Sequence, residues 1–463
     1  LYDSSKIPKL KEKMTLYHGA EVKAFLYNQG WEPVFWKNRD IITDLKTKKP
    51  KSEQKQHEGA IRYIKELQDS PYKKDWLKEL GYKKEPDYNS QAFFKKVLKK
   101  GRNLRSSPQF KDDRGELCPN LFKLQGDTAQ DIVTWLTLKH RRTTIKSFDK
   151  DTGWLNHPRL QKDGRLPASH SGLTNTIRTK HSVIVNVPKP KDHVLYGKEM
   201  RSLFVAPEGY YNVGADVCSL ESMVASSYTI PFDEGRYAQG VIDGTFHDNN
   251  ALLFSDLSGK DITRDYAKNL GYGLLYGAQP KKIALMMGVS EEKAKTIVEG
   301  FWEENIGLKK VKEGLEQYWE ATGQKYIMGL NGRKVYTRSK HSLMNALFQN
   351  AGATLFDYAV CYLYDKAQEK GLDWQRYACF HDEGQFYHSK EEIQEYYFDE
   401  EPKQERLGYL YSKPIQKGDW WLQYYSEVGH LFDEGLIQAS RFFKTNVTFR
   451  AEYMVGHDWS KCH

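Results

Sequence analysis

The stretch YACFHDEGQFYH, residues 377–388, is apolar and aromatic enough for a buried β-strand, yet Asp382 and Glu383 stand side by side inside it after a histidine. Adjacent carboxylates in a low-dielectric strand are costly unless positive charge faces them. The stretch reads as strand, tight turn, strand. The chain must bring a cation to the acidic pair, either from another segment or as a bound ion. A second apolar strand, YNVGADV (211–217), carries Asp216 near its end and runs into a helix near Ser219. Two strand-borne aspartates distant in sequence can meet if their strands are neighbours. A pair of divalent metals roughly 4 Å apart would make their burial tolerable, and such a clamp serves phosphoryl transfer. Magnesium suits oxygen ligands and substrate phosphates. Taken singly, each aspartate reads more readily as an ordinary turn residue.

A third segment adds to this pattern. In ITRDYAKNLGYGLLYGA (262–278), Arg264, Lys268, Tyr272 and Tyr276 recur every four residues. Successive members of such a series drift by about 40°, so all four fall on one broad helical face. Two cations followed by two aromatics make a graded surface: the cations would hold a triphosphate, and an aromatic would stack on a base or sugar. Gly273 and Gly277 are poor helix formers, which suggests a close approach or the helix end. Without the other two segments, an amphipathic helix with a basic edge explains this one nearly as well.

The 463 residues carry a net charge of +9, with Lys-rich stretches concentrated in the first hundred positions. That excess suggests a polyanion partner, nucleic acid first, and equally fits a solvated lysine surface. The five cysteines are scattered without a CxxC pair, so neither a disulfide framework nor a zinc site is expected, and a reducing compartment fits. No apolar run reaches membrane-spanning length and no signal-peptide pattern is present. The chain starts at Leu1, as a fragment or processed product would. Residues 43–59 are expected as an exposed loop, 131–148 as a basic amphipathic helix, and 290–306 as a helix capped by Ser290. Residues 341–370 read as a long apolar helix and 390–406 as an acidic surface insertion. Many helices and few strands argue α+β, with a small antiparallel sheet carrying the chemistry.

DVCSLE (216–221), RDYAKNLGYGLLYG (264–277) and HDE (381–383) resemble, in order and spacing, motifs A, B and C of the family A DNA polymerases. The resemblance is closest to replicative enzymes of short-tailed bacteriophages. It extends through PFDEGRYAQGVIDGTFH (231–247), GLNGRKVYTRS (329–339), NALFQNAGA (345–353) and the C-terminal GHDWSKCH (456–463), and is weaker over 1–175. It implies a right-hand fold: a partial thumb with a Lys-rich insertion (1–175), palm (176–229 and 342–463) and fingers (230–341). It implies a DNA polymerase with two magnesium ions on Asp216, Asp382 and the Val217 carbonyl. Glu383 would lie near the primer end and matter less. Glu221 would exclude a ribonucleotide by closing the space beside the sugar 2′ carbon.

Arg264, Lys268 and His247 would contact the triphosphate, with Lys268 the proton donor to pyrophosphate. Tyr272 would lie under the incoming sugar. Tyr276, Gly277, Arg178, Arg201 and His381 would serve primer or template, and Asn345 and Gln349 would meet minor-groove acceptors present on every correct pair. Primer–template DNA and dNTPs are the implied partners. A separate exonuclease chain or processivity factor, in the cytoplasm of a bacterial host, is compatible with the resemblance.

The sequence departs from the family pattern at three points. Cys218 stands where serine is usual, an arginine common after the glutamate is absent, and TIR replaces TGR at 176–178. A single-subunit RNA polymerase shares the palm and is the runner-up; Glu221 and Tyr272 favour DNA synthesis. A non-catalytic DNA-binding subunit fits poorly with so complete a set of metal and triphosphate residues. No carboxylate constellation for a proofreading nuclease is recognisable.

Overall fold

The computed structural model describes residues 19–44, 47, 49–110, 118–121, 123–124, 127–146, 153–192, 194–402 and 411–462. The chain forms two compact units, Leu1–Lys150 and Asp151–His463.

In the first unit, strands Phe35–Arg39 and Leu104–Gln109 pair antiparallel, with Arg39 opposite Leu104. The chain between them leaves and returns at adjacent points and builds three helices, Glu53–Asp69, Lys73–Glu79 and Gln91–Lys99. Ser52 and Ser90 cap two of these, each side chain accepting from the backbone N–H three residues on. Tyr63, Leu67, Trp76, Phe93 and Val97 pack into their own core. A second cluster joins Val22 and Leu26 of helix Gly19–Asn28 to Ile132 and Val133 of helix Asp127–Ile145. The expected loop at 43–59 is therefore helical from Glu53 onward. Its buried stripe, Ala60, Tyr63 and Leu67, begins only at the far end of that segment, so the first turns look purely polar. The expected helix at 131–148 starts earlier, at Asp127, and its residues 147–148 lie outside the described residues, as do the chain's first eighteen positions.

The second unit centres on a four-stranded antiparallel sheet. Its order is Ala451–Gly456, Tyr210–Val217, Glu383–Ser389, Trp374–Phe380. Alternation along 210–217 buries Val213, Ala215 and Val217. Phe386 of the neighbouring strand meets Phe432 of helix Glu427–Phe442, ring centroids 5.8 Å apart. That helix packs along the 28-residue helix Leu343–Lys370, which is buried over much of its length as its apolar composition requires. Seven helices between Leu220 and Ala321 form a further group, including Leu220–Asp233, Phe246–Ser258 and Arg264–Leu275. Ser290 caps helix Glu291–Glu304 as its sequence suggests.

The α+β expectation holds, though the described residues contain more strands than the sequence revealed. Two small hairpins, Ser169–Leu173 with Thr179–Ser182 and Tyr326–Met328 with Lys334–Tyr336, are too short to show alternation. The expected insertion after residue 390 contributes a three-stranded sheet, Gln394–Phe398, Trp420–Tyr425 and Ile415–Lys417; its residues 403–410 lie outside the described residues. Among the described residues no helix is long and apolar enough to cross a membrane.

Candidate active site

The two aspartates arrive at neighbouring strand ends. Asp216 is paired in register with Glu383, and the Val217 N–H donates to the Asp382 carbonyl at 3.0 Å. His381 and Asp382 form a two-residue turn between Phe380 and Glu383, which face each other in the ladder. The Asp382 N–H reaches back to the Phe380 carbonyl at 2.7 Å, a γ-turn centred on His381 at φ +61°. On the other strand the chain breaks out through Ser219 at φ +46° and enters helix 220–233. Left-handed backbone at non-glycine residues is sparse in proteins and clusters at functional sites. Here it ends both strands beside their aspartates. Asp216 is exposed near the end of its strand, while Ala215 and Val217 on either side of it are buried.

The acidic pair is divided between two environments. Asp382 is solvent-accessible, yet crowding by protein holds its carboxyl above the usual carboxylate range, against the pull of Arg178 and His381. Glu383 points inward and is buried. Its Oε1 accepts from Trp459 Nε1 at 2.5 Å and Gln385 Nε2 at 2.7 Å, and the Arg201 guanidinium stands at 3.4 Å. Arg201 is itself only 4% exposed, donates to the Pro188 carbonyl and lies 4.4 Å over the Trp459 ring. The cation that Glu383 requires is thus Arg201. Expected on primer or template, Arg201 is instead consumed by the interior, because a buried carboxylate needs a charged partner more than solvent-exposed DNA would. The C-terminal segment that delivers Trp459 crosses close over the sheet: a Cβ on Gly214 would lie 2.0 Å from the Cys462 carbonyl.

Helix 264–275 faces this sheet end. Thr263 caps it, its hydroxyl accepting from the Tyr266 N–H. The helix ends at Tyr276, and Gly277 follows at φ +82°, where a Cβ would sit 2.3 Å from the His341 carbonyl. Glycine is required there twice over, by conformation and by space. Arg264 and Lys268 are exposed; Arg264 Nε lies 3.3 Å from Asp248. His247 stands near both cations. Burial first, then Lys268 and Arg264, lower its imidazole to about 4, so it is neutral at physiological pH. Its Nδ1 is buried without a hydrogen-bond partner. The Tyr272 and Tyr276 rings stack, centroids 6.1 Å apart. The Tyr272 hydroxyl meets Ser222 Oγ at 3.1 Å; burial raises it, and the nearby Glu221 and Asp382 carboxylates push the same way. Tyr276 donates to Glu221, whose other oxygen faces Arg178 at 3.3 Å. Glu221 is therefore clamped between the C-terminal end of helix 264–275 and the 169–182 hairpin region.

Three further expected residues line a separate surface or the hairpin. Asn345 and Gln349 border a cleft of about 840 Å³ with Thr176, Tyr336 and Arg338. The buried Asn345 Oδ1 has no hydrogen-bond partner, an acceptor left over for something outside the chain. The His381 ring lies 5.1 Å from that of His181, which burial lowers to about 4. His181, Ser222, Gln385 and Trp459 carry the site's hydrogen bonding and ring packing and were not singled out from sequence. Trp459 lies in the quoted GHDWSKCH, but a lone tryptophan gives no sign of the carboxylate it reaches. Burial pushes the Cys218 thiol up to about 12, so it is no thiolate nucleophile.

Ile177 occupies the position where the resemblance has glycine, and its φ is +64°. A β-branched residue there is a genuine outlier. The turn keeps the glycine-type conformation, with the Ile177 N–H bonded to the Thr174 carbonyl. Relief of strain of roughly 1–3 kcal/mol exceeds the added chain entropy of glycine. Ile177→Gly is therefore expected to stabilise the protein by about 1 kcal/mol in urea unfolding; a loss of stability would mean the turn is not strained.

Asp216, Asp382 and the Val217 carbonyl are hard oxygen donors. Among the described residues no three His, Cys, Asp or Glu side chains converge as a complete metal-ligand set. Two carboxylates leave most of an octahedral shell to water and substrate oxygens, which suits magnesium better than a dedicated all-protein cage would. The residues present fit the group.

The profile of DNA polymerase family A matches residues 89–398. The chain belongs to DNA polymerase family A. Family A relatives include the DNA-directed DNA polymerases of Enterobacteria phage T3 and Escherichia phage T7, each 29% identical over 275 residues. The match spans 54% of this chain and 38% of each phage enzyme. DNA polymerase I of Pseudomonas aeruginosa is 26% identical over 245 residues, 49% of this chain and 24% of that enzyme. Among solved structures, the POL domain of Pol1 from M. smegmatis in complex with DNA primer-template and dNTP aligns with a TM-score of 0.54 at 18% identity. It covers 88% of this chain and 67% of that one, and shares the polymerase right-hand fold.

Proposed function

We propose that this family A chain catalyses template-directed DNA synthesis, adding deoxynucleotides to a primer 3′ end with release of pyrophosphate. The observation that carries this reading is the meeting of Asp216 and Asp382 at adjacent strand ends, opposite a helix face bearing Arg264, Lys268, Tyr272 and Tyr276. In this reading residues 1–175 are a partial thumb with an insertion, 176–229 and 342–463 the palm, and 230–341 the fingers. Primer–template DNA and dNTPs are the substrates. Replication of a phage genome in the cytoplasm of a bacterial host, with a separate exonuclease chain or processivity factor, fits the kinship.

Asp216, Asp382 and the Val217 carbonyl would hold two magnesium ions. When bound, these supply Lewis-acid stabilisation of charge on the transferring phosphate. The chain's own groups do the rest. Arg264 and neutral His247 bind and orient the triphosphate, His247 through its unpartnered Nδ1. Lys268 holds the proton that passes to the pyrophosphate oxygen. Tyr272 supports the sugar and Tyr276 borders the templating base. Asn345 and Gln349 offer their amide N–H groups to the minor-groove acceptors, where the available pattern tests pair geometry rather than sequence. Glu383 and Arg201 position the turn that carries Asp382.

Glu221 excludes a 2′ hydroxyl by occupying that volume, held by Tyr276 and Arg178. Glu221→Ala is expected to raise the ratio of ribonucleotide to deoxyribonucleotide incorporation by about 10- to 100-fold, the equivalent of roughly 1.4–2.7 kcal/mol. Single-nucleotide kinetics with both sugars measure it, and an unchanged ratio places the gate elsewhere. The reading as a whole is tested by primer extension on a defined template with and without magnesium. Extension with dNTPs that requires the metal is the expected result. Preference for rNTPs would support the RNA polymerase alternative, and no extension would remove the assignment.

A further inference from the structure

Carboxylates line up across three strands at the site. Glu452 stands directly opposite Asp216 in the ladder on one side, and Glu383 stands opposite it on the other. Cross-strand partners share a face of the sheet, and like charges directly opposite one another are destabilising. Arg201 meets the charge of Glu383. Lys413 meets that of Glu452, its ammonium ion-paired with the carboxylate. Neither Lys413 nor Glu452 was singled out from sequence, and both lie past residue 398, where the match to the family profile ends.

The backbone around Lys413 is firmly held. The Lys413 N–H donates to the carbonyl of Tyr453, the residue after Glu452, at 2.9 Å. Ser412 before it is fully buried. The Ser412 N–H donates to the Tyr424 carbonyl at 2.7 Å, its Oγ accepts from the Tyr424 N–H at 2.9 Å, and its carbonyl accepts from Gln423 Nε2 at 3.0 Å. These bonds fix a stretch outside any helix or strand against strands 420–425 and 451–456, so its lysine is delivered to one place. The Cys218 thiol, two residues after Asp216, feels the same charges. Burial raises it first, Glu452 and Asp433 add to that, Lys413 opposes them, and Asp216 raises it further. Glu452, Lys413 and Asp216 are thus neighbours around one point.

The side chains of Lys413 and Glu452 keep 43% and 28% of their surface, and an ion pair so open to water adds little to stability. Its consequence is the field at Asp216. Without Lys413, Glu452 would add a third negative charge beside the Asp216 and Asp382 carboxylates and draw a divalent ion more strongly. With Lys413 in place, the two charges cancel at a distance, and the site attracts a metal with little more than its two aspartates. Magnesium is commonly held by one or two carboxylates together with substrate phosphates. A site of low charge leaves most of the ion's shell to the triphosphate.

We propose that Lys413 is a built-in counter-charge of the metal site: by neutralising Glu452 across the ladder from Asp216, it lowers the affinity of the site for a divalent ion when no nucleotide is bound. Lys413 is a positioning residue, because it acts through Glu452. The proposal rests on the reading of Asp216 as a metal ligand. Mn2+ serves as the probe, because the free ion is counted directly by electron paramagnetic resonance. The titration uses the full chain without DNA or nucleotide, as wild type and as K413A, K413R, E452Q, K413A/E452Q, D216A and K413A/D216A.

K413A is expected to bind Mn2+ roughly three- to thirtyfold more tightly, the effect of one uncompensated charge near a divalent ion in a water-exposed site. E452Q strands the ammonium and should bind the ion more weakly by a similar factor. K413R and K413A/E452Q each restore the charge balance and should match wild type within about twofold. Urea unfolding midpoints should stay close to wild type in K413A and E452Q; midpoints that shift in step with the affinities would assign the effect to structure and overturn the proposal. Unchanged affinity in K413A, or a double variant as tight as K413A, would also overturn it. So would tight binding that survives in K413A/D216A, because Glu452 would then hold the ion at a place of its own. Wild-type affinity in D216A would instead strike the assignment of Asp216 to the metal, and the counter-charge with it.

Discussion

Asp216→Ala and Asp382→Ala are each expected to reduce nucleotide addition by at least about a thousandfold while leaving primer–template affinity within a factor of a few. Removal of a single preorganised group that stabilises only the transition state typically costs roughly 10²–10³ in rate, and a lost metal ligand more. Each carboxylate carries the same sign of charge as the DNA backbone, so its presence would if anything oppose binding. Both are solvent-accessible at strand ends, so their truncation leaves no cavity. Rapid-quench single-turnover rates and equilibrium binding on the same primer–template separate the two quantities. Near-normal rates in either variant would remove that aspartate from the reacting centre. A parallel collapse of binding and rate would mean a folding defect instead, which thermal unfolding of each variant would reveal.

The second large effect concerns stability. Arg201→Met is expected to destabilise the second unit by about 3 kcal/mol, at the lower end of the cost of breaking a buried ion pair, because Trp459 and Gln385 still donate to Glu383. Part of the loss is the guanidinium's packing over Trp459. The chemical reason is the stranded carboxylate, so neutralising it should repair the damage. Arg201→Met with Glu383→Gln is expected to recover most of the stability that Arg201→Met alone loses. Urea unfolding of the two single variants and the double variant closes the cycle. A loss below about 1 kcal/mol, or additive single effects, would show that Arg201 and Glu383 do not form the buried pair. Activity provides a separate readout: because Glu383 anchors the turn carrying Asp382, the double variant should lose turnover more than nucleotide binding.

The candidate site residues stood out in the sequence because their spacing is local. A period of four along 264–276 needs only the geometry of a helix, and carboxylates ending apolar strands announce themselves by their cost. The long helix 343–370, the cap at Ser290 and the hairpin around His381 follow from short-range rules of the same kind. Helix 53–69 was hidden because its apolar stripe begins late and its first turns are polar. The small hairpins and the sheet after residue 390 were hidden because three to six residues cannot display a period.

By itself the sequence determined that two aspartates would terminate strands, that a graded cationic and aromatic helix face would accompany them, and that the chain's positive charge would lie near its start. Tertiary structure alone decided which partner each charge receives. Nothing local to Arg201 distinguishes it from a DNA-binding arginine, and nothing local to Trp459 points to Glu383, 76 positions away. The pairing of strands 210–217 and 383–389 puts Asp216 and Glu383 on one face of the sheet; the C-terminal segment that brings Trp459 covers Glu383, where burial makes a guanidinium obligatory, and leaves Asp216 exposed. Sequence periodicity fixes which face of an element a side chain occupies; only the packing of distant elements fixes what stands opposite it, and for a charge in a low-dielectric interior that neighbour determines the energy.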